Sequence, residues 1–324
     1  MKRLYPDIAA YQSGYLKTYS HHEIYYEQSG NPDGIPVLYI HGGPGAGLSP
    51  NYKCFFDSGR YRIIGFEQRG CGRSRPFGDV EKNTTQDLLE DIELLREQLN
   101  INKWVVFGGS WGTLLGLLYA MAHPNAVYGL ILRGIFLGRQ EDIDWFISAD
   151  GGGAIYFPEY YQKFIQGVPA PTDTHVILKS FRDAFTSENE VNKLAALKRW
   201  YCWEERLSKL VLPMGTGDIT NQYPVHLVTS LAMLECHYLF NHCFIEENFI
   251  MQNIDKIAHL PATLIHGRYD MICKPSGAYL LHKAWPNSRL QMVPDAGHST
   301  SEPGIGYALC RASRDMARFI REQQ

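Results

Sequence analysis

Two short segments near the start of the chain, YLKTY (15–19) and EIYYEQSG (23–30), lead to the turn residues NPDG and predict an antiparallel opening. PVLYI (36–40) is apolar throughout and predicts a fully buried strand, and YRIIGF (61–66) predicts the next. In TTQDLLEDIELLREQLNI, Leu88, Ile92, Leu95 and Leu99 recur at helical spacing behind Thr84 or Thr85 as N-terminal cap. KWVVFGG, a helix from Trp111 to about His123, and VYGLILRG continue the alternation of strand and helix. Such alternation implies a parallel sheet with right-handed crossovers. It resumes late with ATLIHG, a helix around AYLLHKAW, SRLQMV and a last helix, YALCRASRDMARFI. The intervening segment is rich in Trp, Tyr and Phe, reads as helices, and is too long for a loop. The expected organisation is therefore an α/β core formed by residues 1–136 and 256–324, with a helical cap at 137–255 inserted between them.

Composition narrows the partners. The 324 residues are 45% hydrophobic and 13% aromatic, enough for a large core, and the net charge is −3 from 31 basic and 34 acidic residues. That balance provides no basic field for nucleic acid and no polybasic membrane patch. The N-terminal stretch lacks an apolar signal region, and no segment approaches the ~18 apolar residues of a spanning helix, so the expected location is cytoplasmic. Seven cysteines, Cys54, Cys71, Cys202, Cys236, Cys243, Cys273 and Cys310, are scattered without a C-x-x-C pair. Reduced thiols are expected rather than a disulfide framework or a zinc site.

The glycine-rich run YIHGGPGAGLSP (39–50) follows a buried strand, where such loops commonly hold an anion. Leu48 stands where a phosphate-binding loop requires lysine, and the dinucleotide pattern lacks its third glycine at the same position. A second glycine-rich turn, Gly108-Gly109-Ser110-Trp111-Gly112, lies between a strand and an apolar helix and matches G-x-S-x-G. Its glycines permit a tight turn that places Ser110 at a helix N-terminus; the simpler alternative is a serine that only caps the helix. A nucleophilic serine needs a base and an orienting acid, which in this strand–helix order follow the nucleophile with histidine last. Asp270 in LIHGRYD and His298 in QMVPDAGHS lie just beyond late strands in that order; His266 and Asp295 are their nearest competitors. Acyl transfer through Ser110 also needs oxyanion donors, for which the candidates are the N–H groups of Trp111 and Gly43, with Pro44 stiffening the loop.

HGGPG, FEQRGCGRS, NTTQDLLEDIELLREQLNI, GGSWG, GRYD and DAGHS, in this order, resemble the proline iminopeptidase (prolyl aminopeptidase) family of α/β-hydrolase serine peptidases. The similarity extends to LYPDIAAYQSGYLKTY and YYEQSGNPDG and so covers nearly the whole chain. The resemblance implies an α/β-hydrolase fold, release of N-terminal proline from peptides without metal or cofactor, and a triad on Ser110, Asp270 and His298. In the cap, Glu204 lies on the stripe of Trp200, Trp203 and Leu207, and Glu235 on that of Leu231, Leu234 and Tyr238. A carboxylate on an apolar stripe is costly unless a cation meets it, whereas Glu205 can pair with Lys209. Both glutamates match the family's amine-binding positions. By the same similarity Phe136, Phe146 and Trp111 pack on the pyrrolidine ring, Arg133 organises the carboxylates, and Cys273 stands near the catalytic acid. Two departures are Glu67, where the family usually has aspartate, and Lys274, inserted between Cys273 and Pro275. The rival expectations are a carboxylesterase or amidase on the same fold, with no need of two cap carboxylates, and a noncatalytic binding protein, which the intact triad disfavours.

Overall fold

The computed structural model describes residues 4–169, 173–211 and 224–323. Eight strands form one sheet: β1 (Ala10–Lys17), β2 (Glu23–Gly30), β3 (Ile35–Ile40), β4 (Tyr61–Phe66), β5 (Trp104–Gly109), β6 (Val127–Arg133), β7 (Ala262–Gly267) and β8 (Ser288–Val293). Their spatial order is β1-β2-β4-β3-β5-β6-β7-β8. β1 and β2 pair antiparallel, as expected, and β2 pairs antiparallel with β4; from β4 to β8 every pairing is parallel.

Alternate residues of the central strands serve two cores, as the two-residue period of a strand requires. Leu38, Ile40, Val106, Leu130 and Leu132 join the cluster that includes α1 (Thr85–Gln98), α2 (Trp111–Ala122) and the helices preceding β7. Val37, Tyr39, Val105, Phe107 and Ile131 face the other way and pack with the C-terminal helix. α1 begins as its sequence predicts: the Thr84 hydroxyl accepts from the Asp87 N–H while the Asp87 carboxylate accepts from the Thr84 N–H, satisfying two otherwise orphaned donors. Leu88, Ile92 and Leu95 form its buried stripe.

Between β6 and β7 the described residues form helices and turns: α3 (Gln140–Ile147), α4 (Gly152–Tyr156), α5 (Pro158–Phe164), α6 (Thr174–Phe185), α7 (Glu190–Ser208), α8 (Val225–Phe240) and α9 (Phe249–Gln252). Aromatic rings hold this layer together. Phe164 stacks on Trp203 at 5.2 Å between centroids, and Phe181 meets Trp200 edge-on at 5.1 Å. Such pairs add about 0.5–1.5 kcal/mol beyond the area they bury. α10 (Pro275–Ala284) follows β7, and α11 (Pro303–Arg321) closes the chain on the opposite face.

Backbone segments pack closely where β5 passes into α2. A β-carbon on Gly112 would lie 2.3 Å from the Ile40 carbonyl oxygen, and one on Gly108 would lie 2.2 Å from the Gly112 oxygen. Neither obstacle is a side chain that could rotate away. Gly112→Ala is therefore expected to cost about 1–3 kcal/mol by overpacking and to displace the start of α2; urea unfolding and activity measured on the same preparation check both effects.

Candidate active site

Ser110 occupies the turn between β5 and α2 with φ 58° and ψ −124°, a left-handed-side conformation rare outside glycine. Its N–H donates to the Arg133 carbonyl at 2.8 Å, and its own carbonyl accepts from the Thr113 N–H at 2.8 Å, so the turn is fixed at both sides. The side chain makes no capping bond to α2. Its oxygen instead meets the Cys273 sulfur at 3.9 Å and faces a small cavity.

Asp270 and His298 arrive from the loops after β7 and β8. Asp270 is 1% exposed; its Oδ1 accepts N–H bonds from Ile272 at 3.0 Å and Cys273 at 2.8 Å, and its Oδ2 accepts from His298 Nδ1 at 2.7 Å. Burial pushes this carboxyl up, but the facing His298 and these hydrogen bonds outweigh it and hold the group below its ordinary range. The carboxylate places the imidazole proton on Nδ1 and leaves Nε2 as acceptor. His266 is an internal brace: its Nδ1 accepts from the Ile135 N–H and its Nε2 donates to the Cys273 carbonyl, both at 2.9 Å.

Arg133 corrects an expectation. Rather than organising the cap carboxyls, its Nη1 lies 3.0 Å from His298 Nε2 and 3.1 Å from the His298 carbonyl oxygen. The guanidinium follows directly from the end of β6, which is hydrogen-bonded to β7, and so belongs to the histidine side of the site.

Gly43 and Pro44 line the cavity beside Ser110 and Trp111, and the Gly43–Pro44 peptide bond is cis. As the first residue of α2, Trp111 has an N–H without an acceptor inside the helix. The loop is tied to α2 through Gln68, which donates to the His41 carbonyl at 2.9 Å and accepts from the Trp111 indole N–H at 2.9 Å. Glu67 accepts from Arg73 Nε at 3.0 Å and Nη2 at 3.1 Å and from the Leu48 N–H at 3.4 Å. Its carboxylate braces two loops.

Helices α7 and α8 contribute two carboxyl groups that touch. Glu235 on α8 is 5% exposed, lines the cavity and accepts from the Trp200 indole N–H at 2.6 Å. Glu204 on α7 is half-buried, hydrogen-bonds Glu235, and keeps a sealed Oε2 with no partner among the described residues. Burial first, then the neighbouring Glu205 carboxylate, pushes Glu204 up to about 8. Burial and the facing Glu204 drive Glu235 up as well. The pair thus retains protons at neutral pH. Phe136 and Phe146 line the same cavity, and Phe146 stacks on Trp203. Glu205 instead pairs with Lys209.

α7 also touches the loop after β8 directly. The Ser208 carbonyl, at its C-terminal end, accepts the N–H groups of His298 at 2.9 Å and Ser299 at 2.7 Å.

The family model of the alpha/beta hydrolase fold matches residues 35–304. A probable proline iminopeptidase of Leptolyngbya boryana is 45% identical over 325 residues, spanning 100% of this chain and 98% of that protein. The proline iminopeptidase of Arabidopsis thaliana is 42% identical, spanning 98% of this chain and 83% of that protein. The chain belongs to the proline iminopeptidase family. Among solved structures, the proline iminopeptidase of Mycobacterium smegmatis superposes with a TM-score of 0.57 at 18% identity, covering 95% of this chain and 100% of that one. The esterase EaEST of Exiguobacterium antarcticum reaches a TM-score of 0.63 at 18% identity over 96% of this chain and 99% of that one, a likeness of fold alone.

The structure adds Gln68 and Trp200 to the site's framework. Gln68 stands within FEQRG, beside the glutamate already singled out; Trp200 reads from spacing as part of an apolar stripe, which does not reveal its indole N–H as a donor. Lys274 immediately precedes α10 and pairs with Glu141 at 3.3 Å, while Asp270 keeps its two N–H bonds.

The carboxyl pair makes a signed prediction about stability. Unfolding releases protons that the folded pair retains, so this contribution is present below the ordinary Glu value of 4.5 and is lost as pH rises through about 8. Glu204→Gln, which cannot ionise, should flatten the fall of Tm across that window relative to wild type; thermal unfolding at a series of pH values checks it.

Proposed function

We propose that the chain releases an N-terminal proline from peptides as a serine exopeptidase, with Ser110 as nucleophile, His298 as general base and acid, and Asp270 as the group that orients the imidazole. The observation that carries this reading is Glu235, which lines the same cavity as Ser110 and is hydrogen-bonded to a second carboxyl group, Glu204. A hydrolase of neutral esters has no need of two carboxyls there, whereas a cationic secondary amine can replace the proton they hold. The proposed cap, residues 137–255, supplies both glutamates and closes the space beyond the amine, restricting cleavage to free N-termini.

The substrate ammonium settles between Glu204 and Glu235 and displaces their proton to solvent. Phe136, Phe146 and Trp111 pack on the pyrrolidine ring. Arg133 yields His298 Nε2, which takes the Ser110 proton as the serine oxygen attacks the prolyl carbonyl carbon. The N–H groups of Gly43 and Trp111 receive the oxyanion charge, each worth roughly 3–4 kcal/mol in comparable sites. His298 protonates the departing amine, the shortened peptide leaves, and water activated by the same imidazole hydrolyses the prolyl ester. Because ammonium binding expels a proton, affinity rises with pH until the substrate amine itself deprotonates.

Release of naphthylamine from the prolyl, alanyl and N-acetylprolyl naphthylamides tests the assignment. Wild type should cleave the free prolyl compound preferentially, and acetylation should abolish turnover. Ser110→Ala should lower kcat by about 10⁴-fold or more with the fold intact, and Glu235→Gln should lower kcat/KM by about 10²-fold. Equal cleavage of all three compounds would make this a broad esterase or amidase and remove the amine site.

A further inference from the structure

Away from the catalytic cavity, the turn joining β1 to β2 carries His21 and His22 against Asp79 in the loop after β4. One donor atom from each of the three residues lies within 4.8 Å of the other two. His21 Nε2 is 2.7 Å from Asp79 Oδ2, and the two imidazole centroids are 4.4 Å apart. His22 is 1% exposed, and its Nε2 stands 2.8 Å from the Glu81 carbonyl oxygen. A carbonyl can only accept, so the Nε2 nitrogen carries the proton and Nδ1 carries the lone pair. That Nδ1 is sealed from solvent and has no hydrogen-bond partner among the described residues. A buried, bare imidazole nitrogen is unfavourable unless something accepts its electron pair.

We propose that His21, His22 and Asp79 bind one divalent transition-metal ion of the zinc type, His22 ligating through Nδ1. Imidazole and carboxylate donors suit zinc, which is commonly held by three protein ligands with water in the fourth position. The outer contacts suit it too. His22 donates its other ring proton to a backbone carbonyl, the arrangement that fixes the tautomer of a ligating histidine. Asp79 Oδ1 accepts from the Glu81 N–H at 2.8 Å, which leaves Oδ2 for the ion. The side chains of His21 and Asp79 are 41% and 26% exposed, so an ion reaches them from solvent and small rotations bring the donors to the required ~2.0–2.2 Å. The ion would clamp the β1–β2 turn to the loop that also carries Gln68, and its effect is on stability rather than on the chemical step.

Asp270, Cys273 and His298 also lie close enough together to compete for metal. Isothermal titration with zinc chloride is therefore made on untagged, chelator-stripped His298→Ala protein, or on Cys273→Ala should the first not fold. The expected result is one Zn²⁺ per chain, an affinity lowered at least about tenfold by either His21→Ala or Asp79→Asn, and a zinc-dependent rise in Tm that both substitutions remove. These two positions are solvent-accessible, and circular dichroism of the stripped variants verifies their fold. Absence of binding at millimolar zinc, or binding that neither substitution weakens, overturns the proposal.

Discussion

The approach of α2 to the ends of β3 and β5 is the constraint from which the site is built. Hydrogen atoms at Gly108 and Gly112 let three backbone segments lie where β-carbons would overlap carbonyl oxygens. The chain can then turn from strand to helix within a single residue, and that residue is Ser110, held at positive φ by bonds from both flanks. Conformations of this kind cost of order 1–3 kcal/mol and persist where the surroundings over-determine them. The same contact ties the nucleophile to the glycine-rich loop after β3, so the proposed attacking oxygen and the proposed oxyanion donors share one rigid junction.

The meeting of α7 and α8 rests on an opposite principle. Where the junction removes atoms to allow closeness, the α7–α8 interface retains two carboxyl groups that disfavour it. Burial raises both, reinforced by Glu205 at Glu204 and by Glu204 at Glu235, so they hold protons. Trp200 supplies a fixed donor to Glu235. The aromatic stack of Trp203 with Phe146 and Phe164 packs α7 against α3 and α5.

Much of this was legible in the sequence because it depends on local pattern. The α1 cap, the buried strands, the turn at Ser110 and the positions of Asp270 and His298 past late strands all follow from short-range chemistry and chain order. The insertion of β4 between β2 and β3 did not, because strand pairing is settled by tertiary register that the periodicity of one strand does not encode. Arg133 was misplaced for a related reason: a long flexible cation at a strand end reaches several acceptors, and only the packing of β6 beside β7 selects the histidine. The glutamates were identifiable as charges on apolar stripes, but their contact with each other required knowing how α7 and α8 meet.

The bonds from the His298 and Ser299 N–H groups to the Ser208 carbonyl join α7 to the loop after β8. Glu204 and Ser208 lie one turn apart on α7, so the helix proposed to sense the substrate amine also anchors the backbone of the proposed base. Lifting that helix as a lid would pull the imidazole out of register. In a peptidase of this construction, access by that route and cleavage exclude one another, and an opened molecule is harmless to passing polypeptides.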